Sequence, residues 1–273
     1  MSDDANIDAY FERIGFSGSI APTLQTLEQL HLLHPAAIPF ENLDPLLEVP
    51  IRLELRNLEQ KLLFERRGGY CLEQNLLFKA MLEDLGFEVT GLAARVNWGH
   101  APDAERPLSH VVLLVDIAGT RYLSDVGFGS ATLTAPLRLK ADTEQETPHE
   151  TFRLAGGDPN WQLDIKIGDE WRPVYSFETT AQSFDDYVRI NDLVQSDTNF
   201  RDNLIAARSD KGRRITLRNR ELRIHPTGGE TERRTLGSTA EAKEALTSLF
   251  GIVLPANDKL DGAIERVLGA APA

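Results

Sequence analysis

Tyr70-Cys71-Leu72-Glu73-Gln74-Asn75-Leu76-Leu77-Phe78-Lys79-Ala80-Met81-Leu82-Glu83-Asp84-Leu85-Gly86-Phe87-Glu88-Val89-Thr90 is the stretch in which the chain changes period. Leu72, Leu76, Leu77, Ala80, Met81 and Leu85 recur at helical spacing, and Gly86 supplies the left-handed residue on which such helices end. From residue 87 the runs 87–90, 111–117, 121–126, 151–154 and 161–167 are short and rich in β-branched and aromatic residues. Gly156-Gly157-Asp158-Pro159 and Ile167-Gly168-Asp169-Glu170 separate such runs and predict hairpins rather than parallel crossovers. The middle of the chain reads as a small antiparallel barrel or sandwich.

Working outward, the pattern over residues 8–85 stays helical. Leu24, Leu27 and Leu30 follow a cap candidate, Thr23, and Pro35 is expected to stop that helix. On the other side, helical pattern resumes near Ser183. The polar stretch 208–212 then leads into strand-like segments at 215–217 and 222–224, and a late helix is expected behind Ser238, with Glu241 three residues on. The segment 141–150 is polar and reads as a loop, and no internal repeat or low-complexity tract is found. The predicted class is α+β in three parts: a helical bundle over 1–86, a β unit over 87–200 closing in a helical segment, and an α/β unit over 201–273.

Composition narrows the function. The chain has 273 residues, 41% hydrophobic and 26% charged, enough for a substantial core. A net charge of −13 opposes non-specific binding to nucleic acid, because a polyanion is repelled at long range. The longest aliphatic run, 111–115, is far shorter than the roughly 18 residues of a membrane span. Met1-Ser2-Asp3-Asp4 is acidic and no apolar run follows it, so a secretory leader is not expected and a cytoplasmic protein is. Neither nucleic acid nor membrane is an expected partner.

The single cysteine, Cys71, can form no internal disulfide and no thiolate metal site of its own. Gly68 and Gly69 precede it, and it stands where the helix begins. The partial positive charge of a helix amino terminus, together with a nearby imidazolium, draws thiols from about 8.5 down to about 3.5–7.5 and so favours the nucleophilic thiolate. Of the six histidines, His110 has the context a partner needs. It opens the run Val111-Val112-Leu113-Leu114-Val115, the chain turns at Ala118-Gly119, and Arg121-Tyr122-Leu123-Ser124-Asp125 returns. With a two-residue loop, His110 lies opposite Gly127 and Asp125 is its diagonal neighbour on the same face; a three-residue loop without a bulge separates them. His31 and His34 share a helical face but read as ordinary helix residues without a third metal ligand. His100, His149 and His225 read as solvated or structural. In Asp125-Val126-Gly127-Phe128-Gly129 the two glycines allow backbone to approach a ligand closely, the alternative being a bend at a strand end.

Taken together, these segments resemble the arylamine N-acetyltransferase family over nearly the whole chain. Arg67-Gly68-Gly69-Tyr70-Cys71-Leu72-Glu73-Gln74-Asn75 is similar to its cysteine motif, Ser109-His110 to its histidine segment, and Asp125-Val126-Gly127-Phe128-Gly129 to its aspartate segment. Ile38-Pro39-Phe40-Glu41-Asn42-Leu43 and Leu249-Phe250-Gly251-Ile252 match flanking patterns. The resemblance implies a helical bundle, a β-barrel and an α/β lid around a cysteine-protease-like core in which Cys71, His110 and Asp125 converge. It implies transfer from acetyl-CoA, through a Cys71 thioester, to an arylamine, arylhydrazine or N-hydroxyarylamine, with no metal. It further implies that Phe40 and Phe128 line the mouth and that Arg67 pairs with Glu41 to tie down the cysteine loop.

Coenzyme A is anionic, and Arg208, Lys211, Arg213, Arg214, Arg218, Arg220 and Arg223 form one basic island. A solvated hairpin face is the simpler reading of it. The same three residues serve hydrolysis or amide formation equally well, as in cysteine hydrolases and amide synthases, and a binding protein with an inert, buried Cys71 is the alternative of another kind.

Overall fold

A computed structural model of the chain describes residues 5–101 and 105–269. The acidic Met1-Ser2-Asp3-Asp4 start lies outside the described residues. No described helix is long and apolar enough to cross a membrane.

The first helices are α1 (Ile7–Ile14) and α2 (Leu24–Ala37). Thr23 caps α2 by accepting the Thr26 N–H, but Pro35 lies inside the helix and does not stop it. Pro35 leaves the His31 C=O without its i+4 donor, but Ala36 and Ala37 stay helical and the chain leaves at the cap, Ile38. Two residues on comes β1 (Phe40–Glu41), then α3 (Leu43–Leu46) and α4 (Leu55–Glu59), which runs on as a π-helical turn over Gln60–Phe64. Helix α5 (Cys71–Asp84) starts at the cysteine, and Gly86 takes the expected left-handed conformation with φ 84°.

The β region comprises β2 (Glu88–Val96), β3 (His110–Ile117), β4 (Thr120–Ser124), β5 (Leu137–Arg138), β6 (Gln145–Glu146), β7 (Thr151–Gly157), β8 (Asn160–Ile167) and β9 (Glu170–Ala181). They form one antiparallel sheet in the order β5-β4-β3-β2-β9-β8-β7-β6. Its two ends meet through the Gln145 side chain, which accepts from Arg138 N at 2.8 Å and donates to Arg138 O at 3.0 Å, so the barrel is nearly closed. Strand β3 divides two cores by alternation: Val111, Leu113 and Val115 face the helices, whereas Val112 and Leu114 fill the barrel.

Next come α6 (Phe184–Gln195), capped by Ser183, α7 (Thr198–Arg201), β10 (Ile205–Asp210), β11 (Arg213–Arg218), β12 (Glu221–Pro226) and β13 (Glu232–Thr235). Helix α8 (Thr239–Glu244) is capped by Ser238, while Glu241 accepts from Gly237 N rather than closing the expected capping box; α9 (Leu260–Gly269) ends the described chain. The polar stretch 208–212 is half strand, since β10 runs to Asp210. The second sheet, β1-β10-β11-β12-β13, begins with a strand from the amino-terminal part, pairing Phe40 with Ala207 and Glu41 with Ala206. Its core includes Leu43, Leu46, Ile215, Leu217, Phe250 and Ile264.

Candidate active site

Cys71 is the first residue of α5 and is 5% exposed. Tyr70 cannot cap a helix with its side chain, so Glu73 fixes this end by accepting the Tyr70 N–H at 3.0 Å. The loop before it is pinned from both sides: Gly69 N donates to Pro39 O and Glu41 N to Gly69 O, while Gln74 Nε2 donates to Pro39 O and Gly69 O. A side chain at Gly68 has no room beside Pro39 O, which is why the loop needs glycine there.

His110 and Asp125 meet across the β3–β4 hairpin. The register runs from Ile117↔Thr120 to Leu113↔Ser124 around the two-residue loop Ala118-Gly119, both residues with positive φ, so the hairpin has the phase that brings them together. His110 Nε2 lies 2.8 Å from Asp125 Oδ2, with His110 and Asp125 1% and 0% exposed. Burial alone lowers an imidazole's pKa, but the Asp125 carboxylate and the neighbouring Cys71 outweigh it and lift His110 from 6.5 to about 10. Asp125 is correspondingly held below 3.8 against burial, by His110, Asn75 and the Gly127 N–H. With Nε2 committed to the carboxylate, Nδ1 is the nitrogen left for the thiol.

Asp125 is held at every polar atom. Its Oδ1 accepts from Asn75 Nδ2 and Gly127 N, both at 2.9 Å; its N–H donates to His31 Nε2 at 3.1 Å; its C=O accepts from Thr132 Oγ1 at 3.1 Å. Asn75 lies one helical turn beyond Cys71, so a single face of α5 carries both the thiol and the brace of the carboxylate. That spacing is visible in the sequence. His31 carries no such signal, because 94 residues separate it from its partner.

Phe128 is half-buried and stands edge-on to His110, ring centroids 5.2 Å apart. Tyr175 packs 5.2 Å from the same imidazole and 5.5 Å from Phe128, with its hydroxyl buried near Asp125 but in no well-formed hydrogen bond. Phe40 is 9% exposed and packs on Phe200 at 6.3 Å. The space at Gly127 is filled by the Cys71 backbone and Asn75 Nδ2, where an added Cβ falls 3.0 Å from Cys71 Cα. At Gly129 the neighbour is the Phe40 ring, 3.2 Å away. The close approaches permitted by these glycines are thus between segments of the protein.

Arg67 pairs with Glu41 at 2.8 Å and with Asp44 at 2.7 Å. The basic island does not form one solvated face. Arg208 donates to Ala36 O and Leu249 O, Arg213 pairs with Asp210, and buried Arg214 bonds Glu150, Ser209 and Thr132 O. His31 and His34 are fully buried and hydrogen-bonded within the protein; His149 bridges Thr134 to the carbonyls of Asp210 and Arg213; His225 meets Thr231; His100 is exposed.

A thiol, an imidazole and a carboxylate brought together between a helical bundle and a barrel suit acyl transfer through the thiol, and the family model described as N-acetyltransferase matches residues 23–259. The chain belongs to the arylamine N-acetyltransferase family. It is 39% identical over 267 residues to the arylamine N-acetyltransferase / N-hydroxyarylamine O-acetyltransferase of Salmonella typhimurium, covering 97% of this chain and 94% of that one. It is 40% identical to the arylamine N-acetyltransferase of Mycolicibacterium smegmatis, covering 91% and 92%. The Mycobacterium marinum arylamine N-acetyltransferase solved in complex with CoA superimposes with a TM-score of 0.92 at 38% identity, over 96% of this chain and 99% of that one.

Proposed function

We propose that this chain carries an acetyl group from acetyl-CoA, through a thioester on Cys71, to arylamines, arylhydrazines or N-hydroxyarylamines. The observation that carries the reading is the His110–Asp125 pair at 2.8 Å beside the first residue of α5. In the first step the Cys71 thiolate attacks the thioester carbon. A carbon–sulfur bond to Cys71 forms, the bond to coenzyme A breaks, and the departing thiolate takes the proton held on His110. In the second step the acceptor nitrogen, or the oxygen of an N-hydroxyarylamine, attacks the acetyl-Cys71 carbon. His110 takes the acceptor's proton and Cys71 leaves as thiolate. Asp125 orients the ring and favours its charged form.

Residues 1–86 bring the cysteine, 87–200 the imidazole and carboxylate, and 201–273 act as the lid. Phe128, half-buried against His110, and Phe40 offer apolar faces to a flat acceptor, with Gly127 letting the aspartate loop pack on Cys71 and Gly129 letting it pack on the Phe40 ring. The names of the Salmonella typhimurium and Mycolicibacterium smegmatis relatives support the acceptor class, and the CoA-bound Mycobacterium marinum relative supports the donor. A reduced thiol and an acetyl-CoA substrate suit the cytoplasm.

Incubation with acetyl-CoA alone, followed by intact and peptide mass spectrometry, is expected to show one acetyl group on Cys71 that disappears when an arylamine is added. Cys71→Ala should abolish the adduct while leaving the fold intact. Asp125→Asn should slow its formation on the order of 10²–10⁴-fold. Absence of an adduct on the wild-type chain, or turnover retained in Cys71→Ala, overturns the reading.

A further inference from the structure

His31 lies on α2, fully buried, with the edge of its ring system against Phe78, and nothing in the acyl-transfer chemistry uses it. Its Nε2 is 3.1 Å from the backbone nitrogen of Asp125. A backbone N–H can only donate, so this ring nitrogen must carry a lone pair and the proton must sit on Nδ1. Burial enforces the neutral ring: it lowers the His31 pKa to about 4, although the Asp125 carboxylate pulls the other way. Nδ1 has no well-formed hydrogen-bond partner and faces the residue's own carbonyl. Pro35, four residues on, has no N–H with which to occupy that carbonyl.

The position of this bond gives it its consequence. The β3–β4 ladder has its last paired residues at Leu113↔Ser124, so the Asp125 N–H lies just beyond it. The other polar atoms of Asp125 are held by Asn75, Gly127, His110 and Thr132, and the N–H has His31 alone. Removing the acceptor leaves a buried donor unsatisfied on the peptide that sets φ of Asp125 and hence the aim of its carboxylate.

We propose that His31, as the neutral Nδ1–H tautomer, is a positioning residue that aims Asp125 at His110 through the Asp125 backbone N–H. The inference rests on the acyl-transfer reading for its functional meaning, but its tautomer and its effect on His110 do not depend on that reading.

Heteronuclear NMR of the wild-type chain is expected to show His31 protonated at Nδ1 and unprotonated at Nε2 from about pH 5 to 9; the opposite tautomer, or an imidazolium in that range, overturns the proposal. His31→Leu fills the volume without an acceptor, whereas His31→Gln places an amide oxygen near the position of Nε2. At a temperature where both are folded, His31→Leu should slow acetylation of Cys71 about tenfold or more and move the His110 titration down toward 6.5, and His31→Gln should restore most of both. A merely structural role lowers stability and leaves the His110 titration unmoved, and that result overturns the proposal. Should His31→Leu fail to fold, the wild-type tautomer and the His110 titration in His31→Gln decide it: a lost His110 shift in a folded Gln variant with a well-formed bond overturns it. If the wild-type chain forms no acetyl adduct, the acyl-transfer reading fails while the tautomer and titration still test His31.

Discussion

Beneath the start of α5 lie five charges, Glu41, Asp44, Lys61, Arg67 and Glu73, whereas Asp125, on the other side of Cys71, is held by neutral groups except for His110. On the first side Lys61 reaches Asp44 at 2.6 Å and Glu73 at 2.7 Å, and Arg67 reaches Glu41 and Asp44. On the second, Asn75, His31, Thr132 and the Gly127 N–H each contribute one bond. The difference is one of failure mode. Each ion of the cluster gave up its water on folding, so the loss of one partner leaves another buried charge uncompensated. The neutral brackets hold geometry, and each loss is smaller and more local.

The largest expected effect follows directly. Arg67→Met should destabilise the protein by about 3–5 kcal/mol, read as a shift in denaturant midpoint, because buried Glu41 loses the cation it pairs with and Asp44 keeps only Lys61. Arg67→Lys should recover only part, since one ammonium cannot reproduce contacts made through Nε, Nη1 and Nη2. A loss below about 1 kcal/mol in Arg67→Met would place this cluster with ordinary surface pairs and break the comparison.

The two sides should also part company with pH. His110 is raised from 6.5 to about 10, so the folded state binds its proton more tightly, and the stability it contributes is full below 6.5 and lost as pH rises through about 10. Asp125 is lowered from 3.8, so its contribution is present above 3.8 and lost as pH falls through the folded value. Lys61 is raised from 10.5: burial opposes this, and Glu73, Glu41 and Asp44 override it. Between about pH 7 and 10 the stability gap between wild type and His110→Gln should therefore shrink, while the gap to Arg67→Met stays level. Parallel declines in the two gaps, measured by urea unfolding, would merge the two regions into one electrostatic unit.

Local features of both regions were legible in the sequence, and distant ones were not. Gly119 marked the turn, and the turn set the phase that puts His110 and Asp125 on one face. Gly86 and the leucine spacing located α5, and with it the position of Cys71. Thr23 and Ser183 stand where helices begin. Pro35 does not end α2, because the helix gives up one backbone bond there and two more residues, Ala36 and Ala37, complete the turn before the cap at Ile38. Strand β10 was missed because Ala206, Ala207 and Arg208 have weak strand character; the strand exists because β1 and β11 flank it, and β1 lies some 165 residues earlier. His31, Arg214 and the second acid beside Arg67 belong to the same kind: their partners are brought by tertiary structure, and no period in the chain announces them.

On the neutral side the next effect belongs to Asn75. Its Nδ2 donates to the Asp125 carboxylate and to Val111 O, and its Oδ1 accepts from Val126 N. A hydrogen bond to a charged group contributes about 1.5–3 kcal/mol, so Asn75→Leu should slow Cys71 acetylation by about tenfold to hundredfold. The pKa of Asp125 should rise in the same variant, since Asn75 helps to hold it down. A slower reaction with Asp125 unmoved would mean that Asn75 acts on the helix rather than on the carboxylate.

The smallest effect should come from Thr132, and the reason separates it from His31. Thr132 Oγ1 donates to the Asp125 C=O and accepts the Phe128 N–H. The peptide to which that carbonyl belongs keeps its other end on Asn75, through Val126 N at 3.0 Å. The Asp125 N–H belongs to the preceding peptide and has His31 as its single partner, and an orphaned buried N–H is tolerated less well than an under-satisfied C=O. Thr132→Val keeps the shape and removes the hydroxyl, so it should cost about 1–2 kcal/mol in urea unfolding and change the acetylation rate by less than about threefold. If Thr132→Val slows acetylation as much as His31→Leu does, the two ends of Asp125 carry equal weight, and the aim of the carboxylate depends on the whole loop rather than on its entry from β4.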